Sequence, residues 1–159
     1  EITVREFRSE DTKDAIARNE VVDQGKAFPQ LEDLGVEDGE AFFKEQSYTG
    51  IAVNENDEIV GLYILHPNNI ADADTSVMPA MRKSTVRGQG VGKAIGDGLL
   101  EKAKEIGFRV LQFNAVVKSN TTALKLYQKL GFTQLGTIPG GFLNKDGVYE
   151  DIIVHYKEL

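Results

Sequence analysis

The fold of this chain is decided by one glycine-rich stretch, Val86-Arg87-Gly88-Gln89-Gly90-Val91-Gly92-Lys93, which a helix-forming run without proline follows directly. Glycine adopts positive φ without steric cost and lets a ligand approach the backbone closely. The first amides of the following helix have no partner within that helix, and a helix N-terminus carries partial positive charge. The stretch therefore predicts a cradle for an anion such as a phosphate or pyrophosphate.

Two better-known phosphate-binding loops are excluded by their spacing. The phosphate loop of nucleotide hydrolases begins with glycine and ends with serine or threonine, but this chain has Arg87 and Ala94 at those positions. A dinucleotide-binding fingerprint needs glycine at its first, third and sixth positions, and the sixth position here is lysine or isoleucine. The pattern that is present is Arg-x-x-Gly-x-Gly, from Arg87 to Gly92.

A second motif, Asn-x-x-Ala-x-x-Leu-Tyr-x-x-x-Gly-Phe, runs from Asn120 to Phe132. Asn120 and Tyr127 are two helical turns apart, so both lie on one helix face at a separation of about 10 Å. Ala123 between them is small, and a groove over this face can admit a slender ligand arm. Structural alternatives remain, because Ser119 or Asn120 can serve as an N-cap and Tyr127 can be a core residue with its hydroxyl at the surface.

Together the two motifs resemble those of the GNAT superfamily of acetyl-CoA-dependent N-acetyltransferases, and the order of predicted elements is similar along nearly the whole chain. The resemblance implies one GNAT-like domain over residues 1–159. Its fold is α/β, with a mixed, mostly antiparallel central sheet of about seven strands and about four flanking helices. It also implies acetyl-CoA as the cosubstrate and no metal.

The resemblance implies a role for each matched position. Asn120 would contact the pantetheine or the nearby backbone. Tyr127 would act as general acid and protonate the departing coenzyme A thiolate, which requires hydrogen-bond reach of the sulfur. Arg87 would position the loop or a phosphate. The pyrophosphate would be bound by the backbone amides of the loop and helix start, namely Gly88, Gln89, Gly90, Val91, Gly92 and Lys93.

The strand before the glycine loop departs from the family pattern. In the family this strand is bulged, and its backbone aligns the acetyl and pantetheine groups. Pro79 suits a bulge because proline cannot donate to a strand ladder. Met81 and Arg82 are therefore candidate cofactor-binding residues. The position of Arg82 is commonly apolar in the family, so the register of the strand stays open.

The general base is the least defined part of the predicted site. An amine attacks only when neutral, so a base or a chain of waters must take its proton. In the family a carboxylate on the strand before the glycine loop often serves as base, and the resemblance makes Asp72 and Asp74 the nearest candidates here. Their polar neighbourhood favours the alternative of solvated loop acids. Asp151 is a further candidate base or amine anchor, for which a structural hydrogen bond is the favoured alternative.

Composition excludes several classes of function. Lys and Arg number 18 against 25 Asp and Glu, and the net charge of -7 argues against a nucleic-acid or anionic-membrane partner. This charge mildly favours a cationic substrate, but solubility explains it equally well. The absence of cysteine excludes disulfides, thiolate zinc sites and a cysteine nucleophile. His66 and His155 lack metal-ligand spacing, so we expect a structural role for each.

The leading functional hypothesis is acetyl transfer to a primary amine of a small molecule. The alternatives are acetylation of a protein or peptide, and a non-catalytic acyl-CoA-binding sensor. No apolar run approaches the roughly 20 residues of a membrane span, and the first residues lack the apolar core of a signal peptide. We therefore expect a cytoplasmic protein without a membrane partner, and a homodimer is a candidate assembly.

The hydrophobic patterns also predict the individual elements. Four helices are expected, at about Thr12–Asp23, Gly39–Gln46, Val91–Ile106 and Thr121–Leu130. Strands are expected at Ile2–Phe7, Thr49–Val53, Glu58–Leu65, Ser76–Met81, Phe108–Val117, Thr133–Thr137 and Val148–Tyr156. The segment Gln24–Asp38 is expected to be a loop that shapes a binding site, and Pro139-Gly140-Gly141 a turn.

Overall fold

The computed structural model describes residues 1–19, 35–67, 75–77, 80–82 and 90–159. Within these ranges the chain forms four helices, eight strands and a 3₁₀ turn at Ser9–Asp11. The helices are α1 Thr12–Asn19, α2 Val36–Glu45, α3 Val91–Ile106 and α4 Thr121–Lys129. The strands are β1 Thr3–Glu6, β2 Tyr48–Val53, β3 Ile59–Pro67, β4 Thr75–Val77, β5 Ala80–Arg82, β6 Val110–Val117, β7 Thr133–Leu143 and β8 Tyr149–Glu158. The predicted α/β class with four helices is confirmed.

The chain divides into two compact units, and each unit is made of two separate segments. The first unit contains Glu1–His66 and Pro79–Leu99, and the second contains Pro67–Met78 and Leu100–Leu159. The boundary between the units falls inside α3. The assignment of the whole chain to one domain stays a prediction.

The first unit holds an antiparallel sheet in the order β1, β2, β3, β5. Every residue of β2 after Tyr48 is buried, and so are the first seven residues of β3. Their inward side chains meet apolar residues of α1 and α2 in a cluster of Ala15, Phe43, Ile51, Val53, Ile59, Leu62 and Ile64. Burial of each large apolar side chain stabilises the fold by roughly 1.5–3 kcal/mol, so this cluster is the main support of the first unit.

Gly50 of β2 is a position where only glycine fits. It lies directly opposite Tyr63 on β3, and the Tyr63 ring occupies the space that a Cβ atom at Gly50 would need. The ring is 2 % exposed and therefore cannot swing into solvent without leaving the core. The register of the β2–β3 pair is thus locked by a glycine beneath an aromatic ring.

An ion pair ties β1 to the start of α1. Both guanidinium nitrogens of Arg5 donate to the Asp11 carboxylate, at 2.8 and 2.9 Å, and the backbone N–H of Arg8 donates to the same carboxylate at 2.8 Å. Burial opposes the charge on Asp11, but the hydrogen bonds from Arg5 and Arg8 outweigh it and lower the pKa of this carboxyl group. The carboxylate therefore stays charged and fixes the entry into the helix.

The second unit holds four strands in the order β4, β6, β8, β7. The pair of β4 and β6 is parallel, with Ser76 opposite Leu111, and the other two pairs are antiparallel. The chain passes through α3 between these two parallel strands, as a crossover connection requires. The expected strand–helix–strand unit and the mixed character of the sheet are confirmed.

Two predicted boundaries shift in the structure. Helix α2 begins at Val36 rather than near Gly39, with Gly35 at its N-cap. The first turn contains Glu37 and Asp38, whose negative charges favour a helix N-terminus. The single strand expected at Ser76–Met81 is two short strands, β4 and β5, which raises the strand number from about seven to eight. The predicted end of the first helix and most of the predicted loop Gln24–Asp38 lie outside the described residues.

The turn expected at Pro139-Gly140-Gly141 is wrong. These residues belong to β7, where the register against β8 shifts between Ile138 and Phe142. The three residues are an irregularity within the strand, and Gly140 has a φ of +61°. The carboxylate of Asp151 on β8 accepts a hydrogen bond from the N–H of Gly140 at 3.0 Å. Strand pairing and this bond hold the extra residues in a bulge, so local turn chemistry does not decide the conformation.

Strand β7 is exposed over most of its length. In the part of the chain that the structure describes, β8 is its single strand partner. Its eleven residues, Thr133–Leu143, include no charged side chain. Leu135, Ile138 and Leu143 are 61, 49 and 54 % exposed. Exposed edge strands commonly carry charges that block pairing with other chains. Strand β7 lacks such charges, and only its proline and its bulge oppose pairing.

Candidate active site

The described part of the predicted anion cradle is the start of α3. Gly90 has a φ of +76°, and a Cβ atom at this position would meet no atom of the described residues within 4 Å. Its carbonyl accepts the first helical hydrogen bond, from the N–H of Ala94 at 3.0 Å. The amides of residues 91–93 therefore precede the hydrogen-bond ladder of the helix. The positive φ of Gly90, the space at its Cβ position and the amides of residues 91–93, which have no partner within the helix, are features that suit the binding of a diphosphate.

The side chain of Lys93 is engaged within α3, so its predicted part in the cradle rests on its backbone amide. Its ammonium group is 2.9 Å from the Asp97 carboxylate, one turn further along α3. The hydrogen bond to Asp97 raises the pKa of Lys93. Val91 is fully buried and anchors the first turn of the helix. The other predicted loop residues, Arg87, Gly88 and Gln89, lie outside the described residues.

The two candidate cofactor-binding residues that precede the glycine loop, Met81 and Arg82, lie in β5. Met81 is opposite Leu62, and Arg82 is opposite Gly61, in an antiparallel pair with β3. These positions belong to the first unit, as does the start of α3. The candidate bases Asp72 and Asp74 lie outside the described residues, so their role stays a prediction.

Asn120 is the N-cap of α4. Its Oδ1 atom accepts a hydrogen bond from the N–H of Ala123 at 3.2 Å. Asn120 therefore has the structural role of an N-cap that the sequence also allows. The cap uses the carbonyl oxygen of the side chain and leaves its Nδ2 group as the part that can contact a ligand. A contact of Asn120 with pantetheine stays a prediction.

Tyr127 lies half-buried on α4 within a group of rings. Its ring centroid is 4.3 Å from that of Phe113 and 5.9 Å from that of Phe132. The ring of His155 meets it edge-on at 5.7 Å with an interplanar angle of 70°. Contacts of this kind restrict the tilt of an aromatic ring. The phenol oxygen is thus held in a defined place, which a general acid needs.

His155, for which the sequence predicts a structural role, is buried beside this ring. Its side chain is 1 % exposed, and its Nδ1 atom lies 3.2 Å from the carbonyl oxygen of Ile153. A carbonyl can only accept, so Nδ1 carries the proton and Nε2 presents a lone pair. Burial lowers the pKa of His155 more than the Ile153 hydrogen bond raises it. The imidazole is therefore neutral at pH 7, and the alternation of Ile153 and His155 along one strand face is the sequence signal for its burial.

The acidic residues beside α4 have structural partners. Asp151 braces the β7 bulge through Gly140, which is the favoured alternative to a catalytic role. Glu150 accepts hydrogen bonds from the Ser119 hydroxyl and from Asn144. The bond from Ser119, followed by that from Asn144, lowers the pKa of Glu150. Both carboxylates thus secure the loop before α4 and the β7–β8 hairpin.

The predicted site residues are divided between the two units. Gly90 to Lys93, Met81 and Arg82 belong to the first unit, and Asn120 and Tyr127 to the second. Among the described side chains, no group of three or more histidine, cysteine or acidic residues is arranged to hold a metal ion. None of the described helices combines the length and the apolar character that a membrane crossing needs.

Comparison with known proteins gives the family. The sequence model of the acetyltransferase (GNAT) family matches residues 13–132. A curated relative, the N-acetyltransferase aca1 of Schizosaccharomyces pombe, is 26% identical over 106 residues, which are 62% of this chain and 48% of that protein. The chain thus spans about half the length of the curated relative it matches.

Solved structures agree with this assignment. A GCN5-related N-acetyltransferase from Kribbella flavida is 28% identical with a TM-score of 0.80, covering 99% of this chain and 98% of that one. The fold is shared with a phosphinothricin acetyltransferase from Sinorhizobium meliloti solved with acetyl-CoA, at 19% identity, a TM-score of 0.86, and coverage of 99% and 88%. The family match extends over most of the chain and includes both motifs, so this chain belongs to the acetyltransferase (GNAT) family.

Proposed function

We propose that this chain is an N-acetyltransferase that moves the acetyl group of acetyl-CoA directly to a primary amine of a small molecule. The observation that carries the proposal is Tyr127, which stands at the motif position of the general acid with its ring held by Phe113, Phe132 and His155. The Sinorhizobium meliloti relative with acetyl-CoA supports the choice of cosubstrate.

The residues of the chain divide the work between binding and proton transfer. The amides of Gly90 to Lys93, together with Arg87, Gly88 and Gln89, hold the diphosphate at the start of α3. Met81 and Arg82 align the acetyl end through the backbone of β5, and Asn120 contacts the pantetheine from the start of α4. Bound acetyl-CoA supplies an activated thioester. Tyr127 donates its proton to the sulfur as the thiolate leaves.

Direct transfer needs no nucleophile from the enzyme, which agrees with a sequence that contains no cysteine. The attacking amine must lose a proton, and Asp72 or Asp74 takes it in our proposal, either directly or through water. The amide bond forms as the thioester C–S bond breaks, and the sulfur receives a proton from Tyr127. The proton that the amine loses and the proton that the sulfur gains are therefore handled by different residues.

Tyr127→Phe tests the role of the phenol. The change removes one oxygen and keeps the ring against Phe113 and Phe132. We expect kcat to fall by about 100-fold or more, the usual contribution of a general acid, while the Kd of coenzyme A stays within about twofold. The rate is followed by coenzyme A release and the Kd by calorimetry. Tyr149→Phe is the matched control, because Tyr149 is 69 % exposed on β8. An unchanged kcat in Tyr127→Phe would remove the phenol from the mechanism.

The acceptor class is decided by a substrate panel. Small primary amines, peptides with a free N-terminus and peptides with an internal lysine are compared by coenzyme A release. The proposal expects the highest kcat/KM among the small amines. A preference for a peptide would establish the protein-acetylating alternative, and binding of coenzyme A without turnover of any amine would establish a sensor. A cytoplasmic location and a homodimer are part of the same proposal, and the uncharged edge of β7 is the surface on which two copies would pair.

A further inference from the structure

A cavity of about 320 Å³ lies between α4 and the strands β7 and β8. It is lined by Leu124, Gln128, Phe132, Gln134 and His155. Its volume is at the low end of the range of roughly 300–1,000 Å³ for ligand pockets. The cavity belongs wholly to the second unit, and the proposed acetyl transfer uses none of its lining residues for catalysis.

His155, one of the lining residues, carries a hydrogen-bond acceptor that has no partner among the described residues. The imidazole is buried, its Nδ1–H is directed to the carbonyl of Ile153, and its Nε2 has no hydrogen-bond partner among the described residues. A buried acceptor without a donor is costly, because the group has lost its bond to water and gained nothing in exchange. Such a group therefore favours a partner that supplies an N–H or O–H.

The remaining walls define what that partner is. Leu124 and Phe132 are apolar, Gln128 and Gln134 are neutral, and none of the described residues that line the cavity carries a charged side chain. The two glutamines are exposed, so their long side chains can rotate and open a path to the imidazole. Gln134 lies directly opposite His155 in the β7–β8 pair, and both residues line the cavity. These walls suit a small neutral molecule with an apolar body.

We propose that this cavity is a second binding site, for a small neutral molecule that presents one O–H or N–H donor from an apolar body to Nε2 of His155. Phenols, azoles and small aliphatic alcohols have this chemistry. The proposal does not depend on the proposed acetyl transfer, although Phe132 and His155 also contact the Tyr127 ring, and it can be tested on the free protein.

The test is a titration of the ¹⁵N-labelled protein with phenol, followed by the ring-nitrogen resonances of histidine. The chain has two histidines, so His66→Gln assigns the signals of His155. We expect the Nε2 resonance of His155 to begin at the position of a ring nitrogen without a hydrogen bond. It should move upfield with a saturable dependence on phenol. Toluene has the same shape without the donor and should bind at least about tenfold more weakly, as the loss of one hydrogen bond implies.

Two variants of α4 control for location. Leu124→Trp fills the cavity while keeping His155 and should abolish the phenol-dependent shift. Thr122→Trp places the same ring on an exposed position of the helix and should leave the shift intact. The proposal is overturned if phenol gives no saturable shift, if toluene binds equally well, or if Leu124→Trp retains the shift. It is also overturned if Nε2 is hydrogen-bonded before phenol is added, since the cavity then holds ordered water alone.

Discussion

Gly90 offers the sharpest test of the anion cradle, because two substitutions there separate backbone strain from charge. Gly90 has a φ of +76° and open space where a side chain would begin. Both Gly90→Ala and Gly90→Asp must place an L-residue in this conformation, and the Cβ atom of either meets no atom of the described residues within 4 Å. The difference between the two variants is therefore mainly the negative charge at the start of α3.

The magnitudes follow from the same geometry. An L-residue at positive φ costs about 1–2 kcal/mol, and aspartate pays less than alanine because its short polar side chain can bond locally. Gly90→Asp should thus be at least as stable as Gly90→Ala. A carboxylate about 4 Å from a phosphate charge is repelled by about 1 kcal/mol in water and about 4 kcal/mol near a protein surface. The aspartate variant should therefore bind coenzyme A at least about tenfold more weakly than the alanine variant.

The assay is titration calorimetry of coenzyme A with the wild type and both variants, with urea unfolding of the same samples for stability. Raising the salt concentration should narrow the difference in affinity, because the repulsion is screened. Desulfo-coenzyme A is a useful second ligand, since it keeps the diphosphate and lacks the thiol. Equal affinities of the two variants, or micromolar binding retained by Gly90→Asp, would refute the assignment of the diphosphate to this helix start.

Three further outcomes are expected. Gly50→Ala should lower the free energy of unfolding by about 1–3 kcal/mol because its methyl group would displace the Tyr63 ring. Gly136→Ala is the control, since a Cβ atom there meets no described atom within 4 Å, and it should unfold at the wild-type urea concentration. Equal losses of stability in both variants would contradict the close packing of Tyr63 over Gly50. His155 has a lowered pKa in the fold, so the unfolded chain binds the proton more readily and the wild type should lose stability as the pH falls below about 6.5. His155→Phe should show a smaller loss between pH 7 and 5 in urea unfolding, and parallel curves would show that the imidazole is not buried in its neutral form. Leu135→Lys should convert a homodimer to a monomer in light scattering if β7 pairs two copies, whereas an unchanged mass would exclude that edge.

Helix ends were predictable because their signals are local. Gly107 and Gly131 follow α3 and α4 with φ values of +105° and +90°, as expected of glycines that end a helix. The N–H of Phe132 bonds to the carbonyl of Tyr127 at 2.9 Å, which closes α4. The same spacing that identifies the motif thus fixes the helix on which the proposed general acid stands.

The parts that the sequence did not predict depend on distant residues. Pro139-Gly140-Gly141 has the composition of a turn, yet its conformation is set by pairing with β8 and by the carboxylate of Asp151. His155 was expected to be structural, but its position beside the Tyr127 ring depends on which helix covers the strand. Neither partner is near in sequence, so no local pattern contains that information.

The division of the chain into two interleaved units affects how the protein can be made or cut. Each unit takes one segment from either side of a segment of the other, so no single cleavage separates the residues of one unit from those of the other. During synthesis the first unit stays incomplete until Leu99 has left the ribosome, while β4 must wait for β6, the strand with which it pairs. A fragment that ends at Leu99 should therefore contain every residue of the first unit, while its β4 lacks the partner strand β6.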